Sequence, residues 1–481
     1  MARRQLTILQ VNDLHGYLEP HPEVFHGAGQ NHYETCGGLA RIAAIFREVR
    51  AQRPGAVLAL DNGDTFHGTF VAVESKGEAL VPLVNALGFD AMTAHWEFAY
   101  GPQHFRELAA RLEYPVLAIN CYEKGSGRLV FAPSRVVERG GVRVGVIGIA
   151  SNIVDKSMPP SYSEGLRFTL GNEELPSHIE RLRTEDRVQV VVVLSHLGFA
   201  QDMKLASEVP GIDVVVSGHT HNRLSRPARV GNTVLFQSGC HGSFVGRLDV
   251  TVDGDHVTGI EHALIRTDGS IKAEGEMAAR VADTLAPHRA FLDEVVGRID
   301  CSIDRAFALE TSMDNVLLDA VAAAAGTQIA FANGWRYGAP ILPGNVTIEH
   351  LWNVVPTNSP VSTVDLSGDD LRAMLEANLE RTFSADAYKQ MGGFVKRCRG
   401  LNLYFKAENP AGHRIQELIV EGEAIVGNRI YRAGMLGEQG VPLKYGSNRQ
   451  QQKVRAVEAL RRHFARGAPV TAHLRGSVVA V

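Results

Sequence analysis

The chain has 481 residues, of which 45% are hydrophobic and 21% are charged, and its formal net charge is −4 at pH 7. This composition is typical of a globular protein with room for two to four domains, and it excludes a disordered or fibrous chain. The slightly acidic charge balance excludes a protein that binds nucleic acid through a basic surface. No stretch approaches the ~18 consecutive apolar residues of a membrane span. From the charge balance and the lack of such a stretch, we expect neither a nucleic-acid nor a membrane partner.

The N-terminal segment carries two arginines, Arg3 and Arg4, but no long apolar stretch and no cleavage site. We therefore expect a cytoplasmic protein, or a periplasmic one if an export signal had been removed. The five cysteines are odd in number and show no paired spacing. The sequence therefore indicates no disulfide framework and favours a reducing compartment.

Short β-branched runs alternate with helical patterns from Leu6 to about Thr267. Alternation of this kind predicts an α/β domain in which helices cover a sheet. The predicted strands are Leu6–Val11, Ala56–Leu60, Arg143–Ile149, Val188–Leu194 and Val214–Ser217, and the predicted helices include Arg41–Arg50, Pro82–Leu87 and Gln103–Leu112.

The pattern changes after this first region. An amphipathic stretch at Glu274–Val296 predicts a long connecting helix, and a second α/β domain follows that opens with a helix at Asn315–Ala325. We divide the chain into a first domain at 1–268, a connecting helix at 269–300 and a second domain at 301–481. The predicted core of the second domain includes Phe331, Val364, Leu371, Leu375, Leu403 and Phe405.

Five polar motifs of the first domain carry carboxylates and imidazoles, and most of them directly follow a predicted strand. They are Asp13-Leu14-His15, Asp61-Asn62-Gly63-Asp64, Ala94-His95-Trp96-Glu97, Ser195-His196 and Gly218-His219-Thr220-His221. Each motif alone is short enough to be a turn or a core pair, but ligands bind where the strands of open α/β sheets end. Together the motifs predict two metal ions ~3.5–4 Å apart, which can hold both oxygens of an in-line displacement.

The order of these motifs resembles that of the calcineurin-like metallophosphoesterases. In the second half of the chain, Asn333-Gly334-Trp335-Arg336, the run Leu-Pro-Gly-Asn-Val-Thr at 342–347 and Gly392-Gly393-Phe394 resemble the 5′-nucleotidase C-terminal domain. The resemblance implies a four-layer α/β/β/α metallophosphoesterase sandwich, joined by the helix to an α/β domain of the 5′-nucleotidase type that supplies substrate contacts.

The resemblance also implies the ligands of two divalent ions, with Asp64 shared between them. One ion would be held by Asp13, His15, Asp64 and His221, and the other by Asp64, His95, His196 and His219. A metal-bound hydroxide would attack the phosphorus of a nucleotide-type substrate, and Asp64, His95 and Arg336 are the predicted catalytic residues. We expect manganese first, with Zn, Fe, Co or Mg as alternatives, since such ligands suit several metals.

One loop departs from the family pattern Gly-Asn-His-Glu-Phe-Asp and reads Ala-His-Trp-Glu-Phe-Ala at 94–99. His95 replaces the metal-binding Asn, while Trp96 and Ala99 replace a His–Asp pair that contacts the reacting group in the family. A general acid typically raises the reaction rate by ~10²–10⁴-fold, so expulsion of a basic alkoxide should be slower without one. The same loop, with Asp386–Gly393 and Tyr431–Gly434, resembles the thiosulfohydrolases of the bacterial sulfur-oxidation pathway, which are expected to cleave a sulfonate from a carrier-protein cysteine.

The predicted substrate contacts are four residues. Arg336 offers a guanidinium fork that suits a phosphate, and Phe394 offers one wall of a nucleobase clamp, whereas Asn62 and Trp96 lie beside the metal loops. The basic run at 396–399 is interpreted as a solvated face. We predict a nucleotide phosphoester hydrolase; the alternatives are a thiosulfohydrolase with a sulfur-carrier protein as its partner, and a metal-containing binding protein without turnover.

Overall fold

The computed structural model describes residues 3–481, which form two units. The first unit consists of residues 3–21 and 34–287, and the second consists of residues 22–33 and 288–481. The two stretches of the second unit are far apart in sequence, because a hairpin near the N-terminus joins the C-terminal part of the chain. Among residues 3–481, no helix is both long and apolar enough to cross a membrane.

The strands in chain order are β1 (Arg4–Val11), β2 (Pro20–His26), β3 (Asn31–Gly37), β4 (Val57–Asp61), β5 (Ala91–Met92), β6 (Cys121–Glu123), β7 (Ser134–Arg139), β8 (Val142–Ile149), β9 (Leu166–Phe168), β10 (Val190–Ser195), β11 (Val214–Ser217), β12 (Ala228–Val230), β13 (Thr233–Phe236), β14 (Phe244–Asp253), β15 (His256–Arg266), β16 (Val295–Ile299), β17 (Ile329–Gly334), β18 (Gly344–Thr347), β19 (Pro360–Ser367), β20 (Phe394–Arg399), β21 (Leu401–Phe405), β22 (Ile415–Val420), β23 (Glu423–Ala424), β24 (Ile430–Leu436), β25 (Ser447–Arg455) and β26 (Val478–Ala480). The α-helices are α1 (Leu39–Gln52), α2 (Phe70–Glu74), α3 (Val81–Leu87), α4 (Pro102–Ala109), α5 (Val154–Ser157), α6 (Leu175–Thr184), α7 (Phe199–Glu208), α8 (Gly275–Leu285), α9 (Arg289–Leu292), α10 (Ser312–Ala325), α11 (Ile348–Val354), α12 (Gly368–Phe383), α13 (Gly437–Gly440) and α14 (Ala456–Phe464). Short 3-10 helices lie at Glu78–Leu80, Trp96–Tyr100, Pro160–Ser163, Ala286–His288 and Ala387–Lys389.

Two sheets packed face to face organise the first unit. Their strand orders are β15-β14-β1-β4-β5 and β12-β13-β11-β10-β8-β7. Apolar side chains of both sheets, such as Leu6, Leu58, Val144 and Val192, form one core between them. Helices α6 and α7 cover the outer face of the second sheet, while α8 packs against both α1 and α3. The predicted strands and helices of this unit are all present, with ends shifted by no more than one helical turn.

The central strands are apolar along their whole length because both of their faces are covered. Every residue of β10, which reads Val-Val-Val-Val-Leu-Ser, is buried, and so is every residue of β11. Strands buried on both faces are typical of parallel sheets. β8, β10, β11 and β13 are indeed parallel, so their carboxyl ends meet at one edge of the sheet.

The predicted connecting helix is interrupted, which corrects the sequence analysis. The segment forms α8, the 3-10 helix Ala286–His288 and α9, and it ends in strand β16. Pro287 explains the break, because proline lacks an N–H group and its ring clashes with the preceding helical turn. β16 pairs in antiparallel fashion with β18, so residues 295–299 are part of the second unit rather than of a connector.

The second unit is built on a five-stranded sheet in the order β20-β17-β24-β19-β25 and a four-stranded sheet in the order β23-β22-β21-β26. The six predicted core residues all belong to its main cluster and are fully buried. The basic run in β20 is not solvated, contrary to expectation, since Lys396 is 4% and Arg397 2% exposed. Arg397 and Arg305 both pair with the buried carboxylate of Asp314, at 2.8 and 2.9 Å, which compensates their charge.

Candidate metal centre

The predicted ligands all lie in loops that begin at or just after the carboxyl end of a strand. Asp13 and His15 follow β1, Asp64 follows β4, His95 follows β5, His196 follows β10, and His219 and His221 follow β11. The structure thereby brings seven residues that are up to 208 positions apart in sequence to one place in the first unit.

The first ligand group consists of Asp13, His15, Asp64 and His221, whose donor atoms all lie within 4.8 Å of one another. Nε2 of His221 is 3.2 Å from Oδ1 of Asp13, and Nε2 of His15 is 3.6 Å from Oδ2 of Asp64. The Nε2 atoms of His15 and His221 are only 3.3 Å apart. Donor atoms this close, all turned towards one point, are the arrangement that a cation requires.

The second group consists of Asp64, His95, His196 and His219, again within 4.8 Å of one another. Nδ1 of His95 is 3.1 Å from Oδ1 of Asp64, and Nε2 of His196 is 3.3 Å from its Oδ2. Nε2 of His196 is buried and has no hydrogen-bond partner among residues 3–481. Because an unsatisfied buried nitrogen is costly, this atom fits a metal ligand. Asp64 is common to both groups, as the sequence predicts.

Backbone carbonyls fix the orientation of two of the imidazoles. Nδ1 of His15 lies 2.9 Å from the carbonyl oxygen of His67, and Nδ1 of His196 lies 2.6 Å from that of Asn62. Donation from Nδ1 to a carbonyl leaves the lone pair on Nε2, which is the nitrogen that faces Asp64 in both cases. The loops therefore set the tautomer as well as the direction of each ring.

The electrostatics of the centre favour positive charge. Although burial raises the pKa of Asp64, the neighbouring His95 and His196 hold it well below its ordinary value. Burial lowers the pKa of His196, but Asp64 and Asp13 raise it to about 9 overall. The carboxylates thus stabilise a cation at the centre of the imidazole cluster, and a divalent ion supplies that charge.

The backbone of these loops is unusual. Among the described non-glycine residues with positive φ, five are predicted ligands: Asp13, His15, Asp64, His219 and His221, with φ between 49° and 71°. A side chain in this left-handed region costs of order 1 kcal/mol and persists only where the surroundings enforce it. Such backbone strain is concentrated at functional sites.

A buried polar network lies beneath the ligand loops, and it corrects the role expected for Asn62. The Asn62 amide donates to the carbonyl oxygens of Ser195 and Val216 at 3.0 and 2.7 Å, and it accepts from Gln10 at 2.8 Å. Its side chain is fully buried. Asn62 therefore joins β4 to β10 and β11 and positions the loops, instead of contacting substrate.

Asp202 in α7 belongs to the same network and was missed by the sequence analysis. Its carboxylate accepts from the hydroxyls of Ser195 and Ser217 at 2.6 and 2.5 Å, so it ties together the ends of β10 and β11. Burial raises the pKa of Asp202 to about 7.

Glu97 is a second buried carboxylate that fixes the loops, because it accepts from the backbone N–H groups of His95 and Thr65 at 2.7 Å each. A single acidic residue in a helix, such as Asp202 in α7, gives no sequence signal, whereas Glu97 belongs to the motif at 94–97.

Trp96 occupies the place of the missing acid group beside the centre. Its backbone N–H donates to Oδ1 of Asp64 at 2.8 Å, and its side chain, 6% exposed, stacks on His67 with ring centroids 4.5 Å apart. Burial lowers the pKa of His67 to about 3, so this ring is neutral. The indole therefore supplies packing where the family pattern has a proton donor.

Two predicted substrate residues lie in the second unit and contact each other. The guanidinium carbon of Arg336 lies 5.2 Å from the centroid of the Phe394 ring, and its Nη2 donates to the carbonyl oxygen of Gly393 at 3.1 Å. Both side chains are half-buried. This cation–π pair presents an anion-binding group and an aromatic face together.

Comparisons with known proteins agree with this architecture. Residues 6–223 match the family of calcineurin-like phosphoesterases, and residues 291–436 match the 5′-nucleotidase C-terminal domain. The sulfate thiohydrolase SoxB of Thermus thermophilus is 25% identical, with a TM-score of 0.91 over 99% of this chain and 96% of its own. A 5′-nucleotidase precursor, also of Thermus thermophilus, is 26% identical, with a TM-score of 0.87 over 99% of both chains.

A curated relative is the trifunctional nucleotide phosphoesterase YfkN of Bacillus subtilis, 26% identical over 471 residues. The alignment covers 86% of this chain but only 30% of YfkN, so the chain spans about a third of that protein's length. These findings confirm the predicted family and the two-domain α/β fold, and the family implies a dinuclear site for divalent metals. Residues 6–223 therefore belong to the calcineurin-like phosphoesterases, and residues 291–436 form a 5′-nucleotidase C-terminal domain.

Proposed function

We propose that the chain hydrolyses a phosphoester of a nucleotide, using two divalent ions of which manganese is the first choice. The observation that carries the proposal is the shared position of Asp64, which belongs to both ligand groups. Its Oδ1 lies 3.1 Å from Nδ1 of His95, and its Oδ2 lies 3.3 Å from Nε2 of His196 and 3.6 Å from Nε2 of His15. Two ions in these ligand groups would lower the pKa of coordinated water and neutralise charge on the phosphoryl oxygens.

The residues of the chain supply position and charge. Hydrogen bonds of Glu97, Asn62 and Asp202 fix the loops after β4 and β10, so these loops need little reorganisation when a ligand binds. In the second unit, Arg336 and Phe394 present a guanidinium group and an aromatic face, which suit a phosphate and a nucleobase. With Trp96 in place of an acid, the reaction should favour phosphoesters whose leaving group needs no proton.

A hydrolysis panel on the manganese-loaded protein tests this proposal. Its substrates are AMP, ADP, UDP-glucose, bis-p-nitrophenyl phosphate and an S-sulfonated cysteine peptide. We expect turnover of the phosphoesters, fastest for the most acidic leaving group. Metal loading without turnover of any of them would instead support a binding protein.

A second candidate is a thiosulfohydrolase that acts on a sulfur-carrier protein. The stacking of Trp96 on His67 favours it, because a site without an acid suits a thiolate leaving group. The similarity to the SoxB structure also supports it. Turnover of the S-sulfonated peptide alone in the same panel would establish this activity and refute the first proposal.

A further inference from the structure

His241 is a buried histidine beside the metal centre that neither ligand group uses. It lies in the loop between β13 and β14, is 4% exposed, and donates its backbone N–H to the carbonyl oxygen of Asp13 at 2.8 Å. Its φ of 57° is positive, as in the five predicted ligands with this conformation. Among the non-glycine residues with positive φ in residues 3–481, His241 is the only buried one outside the two ligand groups.

The imidazole of His241 sits among aromatic and imidazole rings. Its centroid lies 4.3 Å from that of Tyr17, 5.7 Å from His21, 5.9 Å from His15 and 6.1 Å from His221. Nε2 is buried and makes no hydrogen bond within the described chain, which leaves this nitrogen available to a ligand.

A thiol lies next to this imidazole. Sγ of Cys240 is within 4.8 Å of a ring nitrogen of His241, and Cys240 also interacts with the imidazole of His221. The residue is 8% exposed and is not in a disulfide. Thiolate and imidazole together are a donor set that zinc favours, and neither ligand group of the metal centre contains a thiolate.

We propose that Cys240 and His241 form an additional binding position for a thiophilic divalent cation such as Zn²⁺, next to His221. The cation would be bound by Sγ of Cys240 and a ring nitrogen of His241, and water would complete its coordination. The thiol gives its proton to solvent when the cation binds, so that a thiolate–metal bond replaces the S–H bond. This position is separate from the two that share Asp64, and it selects a different class of metal.

Cobalt(II) titration of the full-length protein tests the proposal, because a cobalt–thiolate bond gives a charge-transfer absorption in the near ultraviolet. We expect wild type to show this band and to bind one more equivalent of Co²⁺ than the two-ion centre requires. Cys240→Ser should lose the band and that equivalent. Cys121→Ser, which removes another buried thiol of the first unit, should keep both.

A second variant covers the case in which Cys240→Ser does not fold. His241→Asn keeps a residue that tolerates positive φ, and it should weaken Zn²⁺ binding at this position roughly tenfold or more. Absence of the band from wild type, or its persistence in Cys240→Ser, would overturn the proposal. Neither readout involves hydrolysis, so the result is independent of the proposed function.

Discussion

The metal centre of the first unit and the Arg336–Phe394 pair of the second unit are built in different ways. The centre is buried on the ends of parallel strands, and buried acceptors fix its loops before a ligand binds. The Arg336–Phe394 pair is half-buried, and its contacts include a cation–π contact and a hydrogen bond to a backbone carbonyl. The difference shows that buried hydrogen bonds hold the ligand loops of the first unit, whereas the Arg336–Phe394 pair of the second unit is partly exposed.

Removal of the shared ligand Asp64 should have the largest effect on metal binding and hydrolysis. Asp64→Ala should lose both metal ions and lower hydrolysis by roughly three orders of magnitude or more, because a two-ion site supplies most of the charge stabilisation. Metal content by mass spectrometry of the native protein checks this. Asp283→Ala, which alters an exposed carboxylate on α8, is the control and should retain two ions. Two ions retained in Asp64→Ala would contradict the shared position.

Restoring the missing acid should have the next largest effect. Trp96→His combined with Ala99→Asp should raise kcat for nucleoside monophosphates by ~10²-fold, at the low end of general-acid contributions. Steady-state rates on AMP and on bis-p-nitrophenyl phosphate measure the effect, and the gain should be smaller for the second substrate with its acidic leaving group. An equal gain on both substrates, or none, would refute the argument from the leaving group.

The network beneath the centre should show a smaller effect. Asp202→Ala frees Ser195 and Ser217, so metal affinity at the position of His196 and His219 should fall by ~10–100-fold. Asp202→Asn keeps one acceptor and should lose less. Manganese titration by calorimetry distinguishes the variants, and equal affinities in wild type and Asp202→Ala would show that the clamp has no role in binding.

The buried lysine of the second unit predicts the smallest effect, on stability. Burial lowers the pKa of Lys396 from 10.5 to about 7. Between these values the unfolded chain binds a proton that the folded chain does not, so the free energy of unfolding rises with pH by on the order of 1 kcal/mol per unit, and this contribution is flat below about pH 7. Urea unfolding of wild type and Lys396→Met from pH 6.5 to 9.5 measures it. A difference between the two that does not change with pH would show that burial does not lower the pKa of Lys396.

Much of the centre could be predicted from the sequence because its residues follow apolar runs directly. The strand ends at Val11, Ser195 and Ser217 are visible as the end of a β-branched stretch, and the ligands come within a few residues. The role of Asn62 could not be predicted in this way, since its hydrogen bonds reach Ser195 and Val216, which are 133 and 154 positions away. Only tertiary contacts distinguish a buried amide that joins strands from one that faces substrate.

The structure also differs from the sequence prediction in the basic run of β20 and in the connecting helix. A run of basic residues is usually solvated, yet Arg397 is buried because Asp314, on another element, supplies its counter-charge. The amphipathic pattern of Glu274–Val296 predicts one helix, but Pro287 interrupts it, and the segment forms α8 and α9. Long-range pairing, such as that of β16 with β18, carries no local signal.

Phosphate release from AMP as a function of manganese bound per chain is the most direct test of the two-ion centre. If Asp64 joins two ions that act together, activity should appear only as the second equivalent binds, and Asp64→Ala should remain inactive at every manganese concentration. Full activity with one bound ion, or activity in Asp64→Ala, would contradict a centre in which two ions share this carboxylate.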